Sequence, residues 1–364
     1  MKNKVRLASG NQLNTRDAGR PFFTVVMPVH NAEKFLDRAV KSIVNQSFKR
    51  FELIIVDDCS TDESYDLILD WTRRDFRIRA YQTHENVGAA EARNRALDRV
   101  NGAYVTFVDA DDWIESNTFE TAEKILREDP AIDCLKYSCS EDYTDAKHNL
   151  VSRVNCFCGE TSITNRQELF EKIVDLEMIP LFGYVWNGFY RTAALQKYQI
   201  SFDENLKVNE DFVFNLDFFK HLQKLRTINF LGYHYTKSIS GGSLSTDSKN
   251  YSYEVMTARI RGLLALFEYG LPDRMREKIF WLYVRACYSS LVNTDIMRET
   301  VDAMNQDFLY QEFKRTKFSS STLKQSLMIT FLKYKPLRPI LILAVIFIRI
   351  VRKIFPGTFA KIKR

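Results

Sequence analysis

Residues 104–114 read YVTFVDADDWI, and this stretch carries the most informative pattern in the chain. Its first five residues are of the apolar and β-branched types that favour a buried strand. Three carboxylates, Asp109, Asp111 and Asp112, follow at once. Two such charges about 4 Å apart repel each other by roughly 4 kcal/mol at an effective dielectric near 20. The pattern therefore indicates either a well-solvated turn or a bound cation at the end of a strand.

Short apolar runs alternate with segments of helical periodicity around this stretch. Such alternation is typical of an α/β domain with a mostly parallel sheet and helices on both faces. The predicted strands cover residues 23–29, 51–58, 78–82 and 104–108, and the predicted helices cover residues 35–46 and 89–100. Ligands bind beyond the carboxyl ends of the strands in such sheets. Both acidic clusters, 57–58 and 109–112, lie at such ends.

The composition is that of a folded protein with a polarised charge distribution. The chain has 364 residues, of which 45% are hydrophobic and 27% charged, so it can form one large or two ordinary domains. The formal net charge of the chain is +6. Residues 324–364 hold ten Lys or Arg and no acid, so this segment alone carries +10. The preceding residues are mildly acidic, and no nucleic-acid-binding module is recognisable.

The cysteines and the first residues favour a cytoplasmic location. Six cysteines in 364 residues are too few for a disulfide framework, and Cys156 and Cys158 lack the spacing and second ligand pair of a zinc site. We therefore expect reduced thiols. The first twenty residues contain no apolar stretch of the kind found in signal peptides.

The pair Asp109 and Asp111 is a candidate metal site. Residues i and i+2 of an extended chain point the same way, so both carboxylates can face one ligand. Mg²⁺ or Mn²⁺ prefers such oxygen ligands, and Mg²⁺ usually takes one or two carboxylates and fills its other positions with water and substrate phosphates. The pair therefore suits a metal bound to a diphosphate. A solvated turn remains the alternative.

Other polar residues near these strand ends have two interpretations each. Asp58 could accept hydrogen bonds from a base or a ribose, or it could cap the following helix. Arg93 could pair with a phosphate through its planar guanidinium, or it could be an ordinary solvated helix residue. Gly88, just before that helix, would permit close approach of the backbone to a ligand.

Taken together, these segments resemble family 2 glycosyltransferases of the GT-A fold, of the type that builds bacterial surface polysaccharides. The resemblance rests on VVMPVHNAEKFLDRAVKSIVNQSFKRFELIIVDDCSTD, NVGAAEARNRAL and YVTFVDADD in this order and spacing. It is close over residues 22–128 and looser to about 245. It implies a Rossmann-like GT-A domain over 22–245, with a nucleotide-binding half (22–128) and an acceptor half (129–245). A helical region (246–322) and a basic segment (323–364) follow.

The resemblance also implies roles for individual residues. Asp109 and Asp111 match the D-x-D pair that holds Mn²⁺ or Mg²⁺, Asp58 matches the acid that recognises the base, and Asp112 supports the pair from behind or faces the sugar. His30 stands where many relatives have Tyr, which puts its contact with the donor in question. The residues expected to bind the donor are Pro28, His30, Asn31, Asp57, Asp58, Arg93, Asp109, Ala110 and Asp112.

The stretch VNEDFVFNLDFF contains the candidate general base. An inverting transfer in one step requires deprotonation of the incoming hydroxyl, while the metal stabilises the leaving phosphates. This stretch resembles the E-D motif that supplies the base in the family, which assigns that role to Asp211, with Glu210 as its orienting neighbour or alternate. Acids favoured by a helix dipole are the alternative. Trp186 and Asn187 match a segment on the acceptor side, although such residues could equally belong to the core.

The basic segment contains PILILAVIFI at residues 339–348. As a helix, the step between the flanking arginines spans roughly 16 Å, against roughly 30 Å of hydrocarbon in a bilayer. The segment is therefore expected to lie at a membrane surface, with its cations on anionic headgroups. A buried packing helix and a true membrane span are the alternatives.

These observations predict an inverting glycosyltransferase at the cytoplasmic face of the cell membrane. Its donor is expected to be a nucleotide-sugar, specifically a UDP-sugar, and its acceptor a lipid-linked saccharide or a growing surface glycan. One alternative is a nucleotidyltransferase that forms nucleotide-sugars, but the Gly-rich, Lys-bearing phosphate loop that it needs is absent near Val29. The other is a non-catalytic partner in glycan assembly.

Overall fold

A sheet flanked by helices forms the centre of the structure, which is a computed structural model. It describes residues 6–7, 19–239, 252–267, 270–293, 297–319, 322–334, 343 and 345. The strands are β1 (Arg6–Leu7), β2 (Phe23–Val29), β3 (Phe51–Asp57), β4 (Ile78–Gln82), β5 (Tyr104–Phe107), β6 (Trp113–Ile114), β7 (Cys134–Thr144), β8 (Leu150–Cys156), β9 (Thr161–Ile163), β10 (Gly188–Arg191) and β11 (Leu225–Ser238).

The helices before and between the later strands are α1 (Leu36–Val44), α2 (Ser64–Arg74), α3 (Ala89–Leu97), α4 (Thr118–Glu128), α5 (Arg166–Met178), α6 (Thr192–Lys197) and α7 (Glu210–His221). The helices that follow β11 are α8 (Tyr253–Ala265), α9 (Asp273–Asn293), α10 (Met297–Gln306), α11 (Phe308–Arg315) and α12 (Leu323–Lys333).

The chain divides into two compact units. The first consists of Met1–Asp142, Ser152–Leu169 and Ile179–Lys237, and the second of Tyr143–Val151, Phe170–Met178 and Ser238–Arg364. All the candidate site residues identified in the sequence belong to the first unit.

The parallel half of the sheet follows directly from its sequence. Strands β4, β3, β2 and β5 are neighbours and run parallel. All residues of β3 and all but one of β2 are buried, as continuous apolar runs in a sheet covered on both faces require. Helix α1 buries its apolar residues Leu36, Ala39, Val40, Ile43 and Val44. The predicted strands and helices of this half are present, within three residues of the predicted ends.

The sheet as a whole is mixed, and the prediction of a mostly parallel sheet was wrong for its second half. The order is β1-β4-β3-β2-β5-β10-β7-β11-β6, with β8 paired to β7 and β9 to β11. Strand β10 is antiparallel to both of its neighbours, β5 and β7. The physical reason is that β10 pairs with strands far away in the sequence, which no local pattern predicts. Strand β8 follows β7 through a short turn, in which Asp145 accepts the backbone N–H groups of Lys147 and Asn149. Tight turns join antiparallel strands, whereas parallel strands need a long crossover.

In the second unit, α12 packs against α11. Leu332 on this helix is fully buried, and Tyr310 of α11 donates a hydrogen bond to its carbonyl, 3.2 Å away. The Nζ atom of Lys333 bonds the carbonyl of Thr316 at 2.7 Å. The predicted basic segment 323–364 begins with this helix, and its boundary stays a prediction. The rest of that segment lies outside the described residues, apart from residues 334, 343 and 345.

In the part of the chain that the structure describes, no helix has both the length and the apolar character to cross a bilayer.

Candidate active site

The site lies where β3 and β5 end and α7 begins. Asp58 directly follows β3, residues 109–112 follow β5, and Glu210 and Asp211 form the first turn of α7. The carboxyl ends of neighbouring parallel strands meet at one edge of a sheet. The chain later passes through β10 and α6, and the first turn of α7 then lies at the same edge.

A single guanidinium joins three of the predicted site acids. Arg93 of α3 lies 2.9 Å from Oδ1 of Asp109, 3.4 Å from Oε1 of Glu210 and 3.1 Å from Oδ1 of Asp211. The Arg93 side chain is only 5% exposed. Burial lowers the pKa of Arg93, but the charges of Asp211, Asp109 and Glu210 outweigh that effect and raise it. Arg93, predicted to contact the donor, thus binds acids of the site.

Asp211 has the environment of a general base. It is buried, and the backbone N–H of Val185 donates to its Oδ2 at 3.3 Å. Burial raises the pKa of Asp211 to about 7 against the opposing charge of Arg93, with Glu210 and Asp109 adding to the rise. A base whose pKa lies near the working pH combines a useful deprotonated fraction with proton affinity.

Asp112 supports the D-x-D loop from within the protein. Its side chain is fully buried. Its Oδ1 accepts the backbone N–H of Thr236 and its Oδ2 accepts the hydroxyl of Tyr233, both at 2.7 Å. The same Tyr233 hydroxyl accepts the backbone N–H of Asp109 at 3.1 Å. Of the two predicted roles of Asp112, support from behind is the one that these contacts fit, and Ala110 is buried as well.

Asp111 is the exposed member of the D-x-D pair. Its carbonyl oxygen accepts a hydrogen bond from Arg38 at 2.6 Å, and the same guanidinium nitrogen of Arg38 bonds Oγ1 of Thr236 at 3.0 Å. Desolvation by the surrounding protein, and then the charge of Asp109, raise the pKa of Asp111. Its exposed position lets water and salt screen part of that effect.

The donor set at this loop fits a hard cation that is shared with a ligand. Asp109 and Asp111 offer carboxylate oxygens, which Mg²⁺ and Mn²⁺ prefer. Within the described ranges no group of three or more His, Cys, Asp or Glu side chains could hold a metal. A closed site made of protein ligands alone is therefore absent there. Two carboxylates with substrate phosphates are the set that Mg²⁺ commonly uses.

Asp58 holds the loop that leads into α3. Its oxygens accept the hydroxyl of Thr83 at 2.9 Å and the backbone N–H groups of Val87 at 2.9 Å and Gly88 at 2.7 Å. Gly88 has φ of +89°, a conformation that glycine adopts without steric cost. Neighbouring Asp57 is fully buried, and its Oδ2 accepts the backbone N–H of Ser60 and the amide of Gln82.

The loop after β2 presents two polar side chains at the same edge. His30 and Asn31 are exposed, while Pro28 in β2 is partly exposed. Nδ1 of His30 donates to the Asp58 carbonyl at 2.7 Å, and Nε2 lies 3.0 Å from Nδ2 of Asn86. Because a carbonyl oxygen can only accept, Nδ1 is the donor in the contact with Asp58. The predicted donor residues Pro28, His30, Asn31 and Asp58 thus lie close together.

Trp186 and Asn187 are buried, as the core interpretation of these two residues expects. Asn187 is fully buried, with its Oδ1 accepting from Lys136 at 2.7 Å and its Nδ2 donating to the carbonyl of Leu181 at 3.0 Å. Trp186 stacks on Tyr233 with ring centroids 4.3 Å apart. Neither side chain lines open space, because both complete internal packing.

Sequence reasoning missed three residues near the site: Tyr184, Tyr235 and Arg38. Tyr184 and Tyr235 are partly exposed rings beside the buried Trp186. The alternation of tyrosines in YHY, residues 233–235, was a usable signal, because residues two apart in a strand share a face.

The structure thus combines an α/β fold, acids at the carboxyl ends of β3 and β5, and the buried carboxylate of Asp211 beside them. Residues 24–196 match the sequence model of the family described as Glycosyl transferase family 2. These residues, just under half of the chain, are therefore similar to glycosyltransferases of this family.

Similarity to individual proteins extends beyond that domain. The chain is 24% identical over 315 residues to the uncharacterized glycosyltransferase EpsJ of Bacillus subtilis (strain 168), covering 83% of this chain and 89% of that protein. It is 27% identical over 239 residues to the poly(ribitol-phosphate) β-N-acetylglucosaminyltransferase TarS of Staphylococcus aureus (strain Mu50), covering 64% of this chain and 39% of TarS. The putative teichuronic acid biosynthesis glycosyltransferase TuaG of B. subtilis (strain 168) is 38% identical over 120 residues, 33% of this chain and 48% of TuaG.

The fold is also that of a solved structure. The crystal structure of S. aureus TarS 1–349 in complex with UDP-GlcNAc aligns with a TM-score of 0.60 and 22% identity, covering 87% of this chain and 88% of that one. This similarity establishes the GT-A-like fold for the present chain.

Proposed function

We propose that this protein is a glycosyltransferase that moves a sugar from a UDP-sugar, with inversion in a single step, to a hydroxyl of a glycan or lipid-linked saccharide in surface-polysaccharide synthesis. One observation carries the proposal: the buried carboxylate of Asp211, with a pKa of about 7, shares the guanidinium of Arg93 with Asp109. The named activities of TarS and TuaG, and the UDP-GlcNAc in the TarS crystal, support this choice of donor and pathway class.

Proton transfer is the work of Asp211. Its carboxylate accepts the proton of the acceptor hydroxyl as the new glycosidic bond forms and the bond to the nucleoside diphosphate breaks. The backbone N–H of Val185 and the guanidinium of Arg93 fix the orientation of that carboxylate. Glu210 adds negative charge on the same guanidinium, which keeps the pKa of Asp211 above its ordinary value.

Asp109 and Asp111 are the residues that would hold Mn²⁺ or Mg²⁺. Such an ion, when bound, stabilises the negative charge that develops on the leaving diphosphate. Tyr233 and Asp112 position the backbone of this loop through the hydrogen bonds described above. On the nucleotide side, His30 and Asn31 are exposed, and Asp58 holds the adjoining loop.

A panel of nucleotide-sugars tests the donor and the metal together. We expect one UDP-sugar to raise the thermal unfolding temperature in the presence of Mn²⁺ or Mg²⁺ and to be hydrolysed slowly without acceptor. Asp111→Ala should remove the metal-dependent part of both signals, whereas Asp66→Ala on the solvent side of α2 should not. Hydrolysis that is unaffected by chelation of divalent cations would remove the metal role, and a panel without any response would remove the proposed donor class.

We also propose that the protein works at the cytoplasmic face of the cell membrane. The support is the charge of +10 on residues 324–364, since each basic side chain near an anionic leaflet contributes roughly 1 kcal/mol to binding. The full chain should sediment with vesicles containing phosphatidylglycerol at low salt. A shortened chain that ends at Tyr334, which keeps α12, should stay in the supernatant. Equal sedimentation of the two would place any membrane contact elsewhere.

A further inference from the structure

Two tyrosine rings form a partly exposed aromatic surface in the first unit. The ring centroids of Tyr184 and Tyr235 are 5.5 Å apart. The buried ring of Trp186 lies behind them, 4.9 Å from Tyr184 and 5.4 Å from Tyr235. Trp186 in turn stacks on buried Tyr233, with 11° between the ring planes. The two outer rings therefore rest on a close-packed aromatic base.

A buried cation and a buried amide hold one of these tyrosines in place. The carbonyl oxygen of Tyr184 accepts a hydrogen bond from Nζ of Lys136 at 2.7 Å and another from Nδ2 of Asn215 at 2.9 Å. Lys136 and Asn215 are both fully buried. Because loss of a hydrogen bond to a buried ammonium group is costly, this backbone is firmly fixed.

The chain places these rings between the general base and the D-x-D loop. The residue after Tyr184 is Val185, whose N–H donates to Asp211. The residue after Tyr235 is Thr236, whose N–H donates to Asp112. Burial, and then the charges of nearby Tyr184 and of Asp112, Asp109 and Asp111, raise the pKa of Tyr235. The aromatic surface thus adjoins both ends of the predicted reaction.

Charge distinguishes between the ligands that could occupy this surface. Acidic side chains outnumber basic ones near this surface. The charges of Asp109, Asp111 and Asp112 act on Tyr235, and Glu210 and Asp211 share the guanidinium of Arg93 with Asp109. The nearby cations are Arg38, which bonds the carbonyl of Asp111 and the hydroxyl of Thr236, and Lys237, which lies 4.8 Å from the centroid of the Tyr235 ring and pairs with Glu141. A polyanionic chain such as a polyol phosphate would be repelled here. A neutral pyranose, which has an apolar face of C–H groups, suits a flat aromatic surface.

We infer that Tyr184 and Tyr235 form the surface on which a neutral pyranose ring of the acceptor rests, with one of its hydroxyls directed to Asp211. The acceptor is therefore a saccharide at its reacting end rather than a polyol phosphate. This inference rests on the proposed function, because it takes Asp211 as the base. It explains why Tyr184, among residues 181–190, has the only side chain that is not buried.

The test compares acceptor use by the full chain and its variants. The donor is the UDP-sugar found with the panel, and the probes are p-nitrophenyl β-glycosides and, as the polyol phosphate, ribitol 5-phosphate. Tyr184→Ala and Tyr235→Ala should each raise the KM for the glycoside about tenfold, and more than they raise the dissociation constant of UDP. Tyr184→Phe and Tyr235→Phe, which keep the rings, should recover most of the loss. Phe157→Ala, which removes an exposed ring in the loop before β9, is the matched control.

Several outcomes would overturn the inference. The first is an unchanged KM for the glycoside in both alanine variants. The second is an equal rise in the KM for the glycoside and in the dissociation constant of UDP. The third is a preference of the wild type for ribitol 5-phosphate as acceptor. If no probe is turned over, saturation-transfer NMR with methyl β-glycosides provides the same comparison without catalysis, and a lack of binding by every glycoside counts against it. Failure of the proposed function is distinguishable, since the wild type would then neither bind nor hydrolyse any nucleotide-sugar.

Discussion

Nη1 of Arg93 lies 3.1 Å from Oδ1 of Asp211, and this buried ion pair connects the two halves of the predicted reaction. The other terminal nitrogen of the same guanidinium bonds Asp109, in the D-x-D pair. A cation that binds the carboxylate of Asp109 therefore changes the electrostatic environment of Asp211. Because the guanidinium is almost fully buried, little water is present to screen this coupling.

The first prediction concerns the base. Asp211→Asn keeps the size of the side chain but removes its ability to accept a proton. We expect transfer to fall by about 10²–10⁴-fold, the usual contribution of a positioned base, while UDP binding by calorimetry stays within threefold. The matched control is Asp217→Asn, a half-exposed acid on the same helix that pairs with Lys220. Transfer that survives in Asp211→Asn would assign the base to another residue, of which Glu210 is the first to test.

The second prediction is a pH dependence with a definite sign. Asp211 accepts a proton only when ionised, and its pKa is raised to about 7 by burial and by the neighbouring acids. The rate of transfer at saturating donor and acceptor should therefore fall as pH drops below about 7, by tenfold per pH unit, and level off above it. Glu210→Gln removes one of the charges that raise this pKa, so the midpoint should move to lower pH. A rate that is flat from pH 5.5 to 8 would contradict this assignment.

The third prediction is the cost of removing Arg93. Arg93→Met leaves Asp109, Glu210 and Asp211 close together without a cation, and breaking a buried pair on one side typically costs about 3–5 kcal/mol. Urea unfolding should show a loss of stability of that order. Arg95→Met, on the same helix, removes a local pair with Glu91 and should cost no more than about 1 kcal/mol. Similar losses of stability in both variants would mean that the contacts of Arg93 with three acids contribute no more to stability than one local ion pair.

The sequence predicted the parallel half of the fold well because its signals are local. Continuous apolar runs such as 51–57 and the helical period of 36–44 each determine one element without reference to distant residues. The antiparallel insertion of β10 between β5 and β7 depends on pairing over long separations, as between Tyr190 and Val105. No short-range pattern records such pairing, so the second half of the sheet was predicted incorrectly.

For the candidate site, the sequence could propose residues but not their contacts. Strand ends pointed to Asp58, Asp109 and Asp111, and the resemblance to the E-D motif of the family pointed to Asp211. Which aromatic residues can contact a ligand depends on burial: Trp186 is in the core, while Tyr184, two residues away, is partly exposed. Both residues lie in the irregular segment before β10, where no periodic pattern predicts exposure, so only tertiary packing distinguishes them.

The last prediction concerns the hydroxyl that holds the D-x-D loop. Tyr233→Phe removes a group that donates to Asp112 and accepts from the backbone N–H of Asp109. A buried polar group left without its partner costs about 1–3 kcal/mol, so urea unfolding should show a loss of stability in that range.

The same substitution should also weaken the metal-dependent binding of UDP, because Asp109 loses its backbone anchor. Tyr253→Phe is the control: it removes a buried hydroxyl that bonds Tyr283 at 3.0 Å and no residue of the 109–112 loop. It should reduce stability without changing the stabilisation that UDP and Mn²⁺ provide together. If Tyr233→Phe lowers stability but leaves that joint stabilisation intact, the hydroxyl contributes to folding alone, and the geometry of the loop is fixed by Asp112 and Thr236.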